Sequence, residues 1–292
     1  MNRFVTFLLA LMVAAVTVSS ACVAAPSDVI HFTLEPERGD NDHIQATFRE
    51  EKRDRDRDHN SWSTGFTPSE LVGLDISGFR GSGSRPLRFA VIREAGRLDC
   101  AGNGGQSHAF GSCSFTADPG FTQLLVGRGI GRPTSDQSFG LMAVNARREV
   151  IDAVAAARYP TPTIDDLMGL SALGVDGRYI GELAQAGYHP KAIHTLIEFK
   201  ALGISPEWIG GFARAGYANM PPDDLVQLKA LDITPDFISG FDQIGYRHLP
   251  VDTLVQLKAL GITPQFVRAK AAADHQLSVD ELVQLKLFGR LR

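Results

Sequence analysis

Three groups of residues in this chain have types that could bind a metal, catalyse a reaction or bind a cofactor, but their spacing argues against each of these roles. His189 and His194 are five residues apart, which does not place two metal ligands cleanly on one helix face. Ser107-His108 could join a triad only through a third residue brought near in space. The stretch from Gly127 to Gly131 resembles a dinucleotide-binding loop but follows a predicted helix and lacks the last glycine of that pattern. The sequence therefore predicts no catalytic residue, no metal site and no cofactor.

Four lysines recur at nearly constant spacing and could bind an anionic or peptide partner. Each is preceded, two residues earlier, by a glutamate or a glutamine, and helices that stack at about 8–10 Å would array the lysines along one face. The predicted partner-binding residues are Lys200, Lys229, Lys258, Lys286, Gln227, Gln256 and Gln284. The alternative interpretation is that copied repeats also copy their solvent-exposed positions.

One tryptophan and two cysteines are further candidates. Trp62 lies outside the repeated registers and could stack on a ligand, although a strand tryptophan that covers the sheet is the alternative. Cys100 and Cys113 would meet oxidising conditions in an exported protein. That setting predicts a disulfide between them, with two buried free thiols as the alternative.

The elements that position the lysines follow from an internal repeat of 29 residues. Three registers share this period: Tyr159, Tyr188, Tyr217 and Tyr246; Phe121, Val150, Tyr179, Trp208, Phe237 and Phe266; and Leu141, Leu170, Phe199, Leu228, Leu257 and Leu285. Each unit predicts two short helices, because Ser205-Pro206, Thr234-Pro235 and Thr263-Pro264 are helix starts and glycines end the helices. Such a pair cannot bury its apolar face alone, so the sequence predicts an α-solenoid of about six units over residues 118–292.

Residues 27–117 are predicted to form a small β-rich domain, which makes the whole chain an α+β fold. Apolar runs between glycine-rich breaks predict four to six strands. The candidate strands are Val29 to Leu34, His43 to Phe48, Pro86 to Arg93, Arg97 to Ala101 and Phe110 to Phe115, with a hairpin from Phe89 to Cys100. Thr67-Pro68-Ser69-Glu70 predicts one short helix, and Gly78 to Pro86 a flexible loop. The mixed charges of Glu50 to Asp58 predict a solvated hairpin tip.

The start of the chain predicts export. Arg3, an apolar stretch and small residues make a secretory signal peptide over residues 1–24, too short to span a bilayer. Processing before Cys22 would instead leave a lipid anchor, but Ser19 stands where a lipoprotein signal has an aliphatic residue. The net charge of −4 gives no overall attraction to nucleic acid. The predicted location is periplasmic or secreted, without a transmembrane span.

Two phrases of the sequence resemble known repeats. Leu-Val-Gln-Leu-Lys-Ala-Leu-Gly-Ile-Thr-Pro (Leu254 to Pro264) and Ala-Gly-Tyr (Ala215 to Tyr217) are similar to a repeat of uncharacterised exported bacterial proteins. Similar repeats follow the metallopeptidase domain of some BlaR-like sensor proteins, whose zinc-binding His-Glu-x-x-His pattern this sequence lacks. The resemblance covers Phe110 to the C-terminus and implies a periplasmic sensing or interaction role without an activity.

These features predict a non-enzymatic scaffold that presents a repeat surface to a protein or peptide partner in the cell envelope. A second hypothesis is a carbohydrate- or peptidoglycan-binding protein that uses the β-rich domain, with Trp62 as the stacking platform. An enzyme of unrecognised type is a third, and a deep pocket with two titratable groups of shifted pKa would indicate it.

Overall fold

The computed structural model of the chain describes residues 29–37, 39–51, 61–270 and 276–289. The predicted signal peptide over residues 1–24, including Cys22, lies outside these residues, as does most of the predicted charged hairpin tip. No helix within the described ranges is long and apolar enough to cross a bilayer.

Six strands form one antiparallel sheet in the N-terminal part of the chain, and helices follow it. The strands are β1 (Val29–Glu37), β2 (Asp40–Glu51), β3 (Ser61–Phe66), β4 (Arg85–Arg93), β5 (Gly96–Gly105) and β6 (His108–Ala117). Two three-stranded meanders are joined through β1 and β6, which gives the order β3-β2-β1-β6-β5-β4. The α+β class is thereby confirmed, and so is the hairpin in which Phe89 pairs with Cys100.

The sheet is curled, so that its two edge strands approach each other. Phe32 of β1 and Phe89 of β4 are separated by two intervening strands, yet their ring centroids lie 5.0 Å apart. Arg93 at the end of β4 lies 5.0 Å from the ring centroid of Trp62, which belongs to the opposite edge strand. Alternate residues of each strand face the inside of this curl, where Leu34 is fully buried.

Cys100 and Cys113 lie directly opposite each other on β5 and β6 and form a disulfide. Both are buried on the inner face of the sheet. Two residues further along the same pair of strands, Gly102 lies opposite Gly111. A Cβ at Gly102 would stand 2.1 Å from the Phe110 carbonyl oxygen, so only glycine fits this close approach of the two strands.

The segment between β3 and β4 differs in part from the prediction. The Thr67 start signal produces only a 3₁₀ turn, Pro68–Glu70, with the predicted capping box. A short helix, α1 (Ile76–Arg80), then occupies the first part of the stretch predicted as a loop. The prediction was wrong there because Phe79 is buried against the sheet, and this tertiary contact offsets the low helix propensity of Gly78 beside it.

Twelve helices follow the sheet within the described residues, nearly all of them about nine residues long. They are α2 (Pro119–Gly127), α3 (Ser135–Ala143), α4 (Arg148–Ala156), α5 (Ile164–Ala172), α6 (Gly177–Gln185), α7 (Ile193–Ala201), α8 (Pro206–Arg214), α9 (Pro222–Ala230), α10 (Pro235–Asp242), α11 (Val251–Ala259), α12 (Pro264–Lys270) and α13 (Val279–Phe288). Helices this short are marginal in isolation, so they depend on packing against their neighbours.

Packing along the chain follows a period of two helices. The even-numbered helices from α4 to α12 each contact the next even-numbered one, and among the odd-numbered helices α3 contacts α5, α5 contacts α7, and α9 contacts α11. The leucine register lies in the odd-numbered helices, where Leu170, Leu228 and Leu257 are fully buried. First helices of the predicted units therefore pack on first helices, and second helices on second helices.

The predicted helix boundaries are confirmed where cap residues set them. The hydroxyls of Ser205 and Thr234 accept hydrogen bonds from backbone N–H groups of the first turns that they precede. After the helices the chain turns through left-handed backbone, with φ of +92° at Gly245 and +63° at Gly261. These turns change the direction of the chain within a few residues, between one helix and the next.

Candidate partner-binding surface

The four predicted lysines each lie over an aromatic ring of the preceding helix. The distances from the ammonium nitrogen to the ring centroid are 4.4 Å for Lys200 and Tyr179, 5.4 Å for Lys229 and Trp208, 5.3 Å for Lys258 and Phe237, and 4.8 Å for Lys286 and Phe266. We call these eight residues the lysine–aromatic column. Cation–π attraction of this kind contributes about 0.5–2 kcal/mol per pair, depending on solvent exposure.

Helix starts and helix ends bring each pair together. Phe237 is the third residue of α10, where its backbone N–H is capped by the Thr234 hydroxyl. Lys258 lies in the last turn of α11, the antiparallel partner of α10. The first turn of one helix thus meets the last turn of the next, and the same register repeats in each unit that carries the pair.

Two of the lysines also bond to the preceding unit. The Lys258 ammonium donates to the Asp232 carbonyl oxygen at 2.6 Å, and the Lys286 ammonium donates to the Gly261 carbonyl oxygen at 3.2 Å. Asp232 and Gly261 each follow the end of a second helix, where the helix dipole favours a cation. The column therefore has a stabilising role of its own, and only the remaining ammonium donors are available to a partner.

The predicted glutamines form a separate column. Residues two apart in an α-helix point about 200° apart, so Gln227 and Gln256 lie away from the lysines that follow them. Both side chains are exposed, whereas Gln284 is half-buried. The sequence prediction joined two surfaces that the helix geometry separates.

We expect the column to stabilise the fold measurably. Replacing Lys258 by Met removes the charge but keeps an apolar stem over Phe237, so we expect a loss of about 1 kcal/mol in the free energy of unfolding. A double-mutant cycle with Phe237→Leu, followed by urea denaturation, measures the pair itself. The control is Lys191→Met, because that exposed lysine lies outside the column. Equal effects at both positions would show that the ring and the carbonyl contribute nothing.

A polar groove between α10 and α12 was not predicted from the sequence. It encloses about 510 Å³, and Lys258 and Phe237 of the column form part of its wall. The helices approach closely below it, since a Cβ at Gly240 would stand 2.8 Å from Cγ of Pro264. Gly240 and Pro264 are the sequence signal for this close approach, but they indicate it only once α10 and α12 are known to be neighbours.

Two buried tyrosines and one half-buried tyrosine bond to loops further along the chain. The hydroxyls of Tyr179 and Tyr217 donate to the carbonyl oxygens of Ile204 and Leu249, at 2.9 and 2.8 Å. Tyr246 donates in the same way to the Leu277 carbonyl oxygen. The acceptor of Tyr179 lies in the loop that follows the next helix, whereas the acceptors of Tyr217 and Tyr246 lie between α10 and α11 and between α12 and α13.

We expect ionisation of the tyrosines that are shielded from solvent to lower the stability of the fold at alkaline pH. Burial raises the pKa of Tyr159, Tyr179 and Tyr188 to about 12. Because the unfolded pKa is about 10, their contribution to stability is full below pH 10 and is lost as the pH rises from about 10 towards 12. Absorbance at 295 nm and far-ultraviolet circular dichroism, recorded together, check this. Ionisation of all tyrosines near pH 10 without loss of helix would contradict it, and the urea-unfolded chain is the control.

Trp62 lies at the junction of the sheet and the helices. Its indole stacks on Phe48 with a centroid distance of 4.8 Å and lies beside the Arg93 guanidinium. The rest of the half-buried side chain lines a cavity of about 310 Å³ together with Phe139 of α3 and Met168 of α5. Trp62 thus covers part of the sheet and also reaches a cavity, so both interpretations made from the sequence keep a physical basis.

Arg93 connects the sheet to the first helices. Its guanidinium donates to the carbonyl oxygens of Met142 and Ala143 at the end of α3, at 2.8 and 2.6 Å. Burial lowers the pKa of this arginine, an effect that the charge of Glu70 opposes. The neighbouring Glu94 accepts a hydrogen bond of 2.8 Å from the backbone N–H of Arg148, the first residue of α4. The carboxylate of Glu94, in the turn between β4 and β5, thereby caps a helix that lacks a serine or threonine cap.

The two histidines considered as metal ligands, His189 and His194, are both exposed. Within the described ranges, no three histidine, cysteine, aspartate or glutamate residues come together as metal ligands would. A scan against protein-family models finds no match to the chain, and a search of curated proteins finds none either.

Proposed function

We propose that this chain is an exported, non-enzymatic interaction scaffold whose helical part binds a protein or peptide partner in the cell envelope. In this proposal residues 1–24 are a signal peptide, residues 27–117 form the β-rich domain, and residues 118–292 form an α-solenoid of about six repeat units. The role is periplasmic or secreted, in agreement with the resemblance to repeats of exported and sensor proteins.

The packing period of the helices supports the solenoid. A helix that contacts the helix two positions further along belongs to a stack of helix pairs, because each pair covers the open side of the one before it. Recurrent caps and recurrent left-handed turns give the pairs the same shape. Stacks of this kind offer long surfaces of shallow curvature, which suit protein and peptide partners.

The single observation that carries the proposal is the lysine–aromatic column. Its four ammonium groups are held at similar distances over rings, so their positions are fixed before a partner arrives. Preorganised donors lose less conformational entropy on binding than free lysines do. A row of such donors on alternate helices, from α7 to α13, is a repeated binding element.

The disulfide supports export. A Cys100–Cys113 bond persists in oxidising compartments and is rare in the cytosol. The signal-peptide prediction and this bond therefore point to the same compartment through independent parts of the chain.

Co-purification from periplasmic extract tests the scaffold. The bait is the chain from residue 25 onwards, compared with a variant in which Lys200, Lys229, Lys258 and Lys286 are all Met. A matched control carries four changes to Met at exposed cations outside the column, namely Arg132, Lys191, Arg247 and Lys270. Circular dichroism verifies that all three proteins are folded.

We expect a protein that the native chain and the control retain and the column variant loses. Equal retention by the column variant would show that the partner binds elsewhere on the chain. If the native chain retains no specific protein, the scaffold proposal fails.

A second candidate function is binding of a cell-envelope glycan at the cavity beside Trp62. Aromatic walls with a polar rim of Ser61, Asp136 and Gln137 are the observation that favours it. Trp62→Phe keeps the contact with Phe48 but reduces the ring area in the cavity. Weaker retention on immobilised peptidoglycan, with Trp208→Phe unchanged, would support this function.

A further inference from the structure

The groove between α10 and α12 carries opposite charges at its two ends. Asp232 and Asp236 lie at the end where α10 begins, and Arg268 of α12 lies at the other. The Arg268 guanidinium is placed there by a contact of 3.4 Å to the side-chain oxygen of Gln243, which follows the last residue of α10. The groove volume of about 510 Å³ falls within the range of pockets that hold small ligands.

One acid and one cation of the groove remain available. Lys258 lies 3.6 Å from the Asp232 carboxylate and is already bonded to the carbonyl oxygen of the same residue. Within the described part of the chain, the Asp236 carboxylate has no ion pair or side-chain hydrogen bond. Arg268 has the one contact to Gln243 and keeps its other donors. The effective charges are therefore a carboxylate at Asp236 and a guanidinium at Arg268.

The separation of these charges sets the size of a ligand. Asp236 and Gln243 are seven residues apart along α10, which corresponds to about 10 Å at 1.5 Å per residue. An extended peptide rises about 3.3 Å per residue, so three residues span the same distance. A free peptide of this length carries an ammonium at one end and a carboxylate at the other.

Hydroxyl groups between the two ends suit a peptide backbone. Thr263 accepts a cap hydrogen bond from the Phe266 N–H, at 3.1 Å, and Thr234 accepts one from the Phe237 N–H, at 3.3 Å. Each hydroxyl therefore keeps its proton for a further acceptor, such as a peptide carbonyl. The Phe237 ring adds an apolar patch for a small side chain.

We propose that this groove binds a short zwitterionic peptide of about three residues, with its ammonium at Asp236 and its carboxylate at Arg268. The inference deepens the proposed function, on which it rests, by naming the partner class as a peptide with free termini. The lysine–aromatic column contributes one wall of the site through Lys258 and Phe237.

Titration with trialanine tests the site, using isothermal titration calorimetry on the folded chain from residue 25 onwards. N-acetyl-trialanine lacks the ammonium and trialanine amide lacks the carboxylate, so we expect each to bind roughly ten-fold more weakly or worse. Asp236→Asn and Arg268→Gln should each weaken trialanine binding by a similar factor. The matched controls are Asp252→Asn and Arg247→Gln, which remove the same charges at exposed positions outside the groove.

The outcomes separate this inference from the scaffold proposal. Trialanine affinity that is unchanged by blocking either terminus, or by both groove substitutions, overturns the inference. Absence of saturable trialanine binding overturns it too, even when a periplasmic protein is retained through the column and the scaffold stands. Trialanine binding that both groove variants lose, with no protein retained, supports the peptide site and contradicts only the scaffold.

Discussion

Replacing Arg93 by Ala is expected to lower the free energy of unfolding by roughly 3–4 kcal/mol. The substitution removes two charge-assisted hydrogen bonds to the Met142 and Ala143 carbonyl oxygens, together with the cation–π contact to Trp62. It also leaves a half-buried backbone acceptor at the end of α3 without its donor, which is itself costly. Urea denaturation monitored by tryptophan fluorescence measures the loss.

The same arginine ties the two parts of the chain together, so its loss should also expose the connection between them. Limited proteolysis around Asp118-Pro119 is expected to become faster in Arg93→Ala than in the native chain. Arg88→Ala is the matched control, because Arg88 lies on the same strand but is exposed. A loss below about 1 kcal/mol for Arg93→Ala, or an equal loss for Arg88→Ala, would contradict this connecting role of Arg93.

Removing the disulfide is the second large effect that we expect. The bond joins residues that are 13 positions apart in sequence, and a loop of this size corresponds to about 3 kcal/mol in the chain-entropy model. The double substitution Cys100→Ala with Cys113→Ala should lower the free energy of unfolding by about this amount. Equilibrium denaturation in urea, without reductant, is the measurement.

The neighbouring cross-strand pair provides the control. Ala101 lies opposite Ser112 on the outer face of the same two strands, and exchanging the two residue types should change stability by less than about 0.5 kcal/mol. Because both cysteines are buried, dithiothreitol should reduce the native bond slowly and the urea-unfolded chain rapidly. A double variant as stable as the native chain would show that the sheet alone holds β5 and β6 together.

Local signals made much of the fold predictable. Ser205 and Thr234 start helices because their hydroxyls bond within four residues of themselves, and Gly245 ends one because of its own backbone. The hairpin from Phe89 to Cys100 likewise depends on neighbouring residues only. Such features can be read along the chain without knowing any distant contact.

What the sequence could not predict depends on distant contacts. The strand order places β1 beside β6, which are joined by no short turn, and the helix at Ile76–Arg80 forms only because Phe79 packs on the sheet. Arg93 carried no signal, because its partners at Met142 and Ala143 are about fifty residues away.

At the candidate site, too, the features set by sequence spacing were predictable and those set by distant contacts were not. The 29-residue period identified the lysines. It did not predict their contacts with aromatic rings and with carbonyl groups of the preceding unit, which give the lysines a stabilising role. The glutamines were grouped with the lysines because they precede them by two residues. Residues two apart in an α-helix face different sides, so the two sets of side chains lie on different surfaces.

The bonds from Lys258 to Asp232 and from Lys286 to Gly261 both join a lysine to the unit before it, so both must break when the helix pairs on either side are pulled apart. Under tension we therefore expect the helices to separate one pair at a time, with the pairs joined by these lysine bonds resisting longest. Each step would release a chain length of roughly 100 Å, the extent of one stretched repeat.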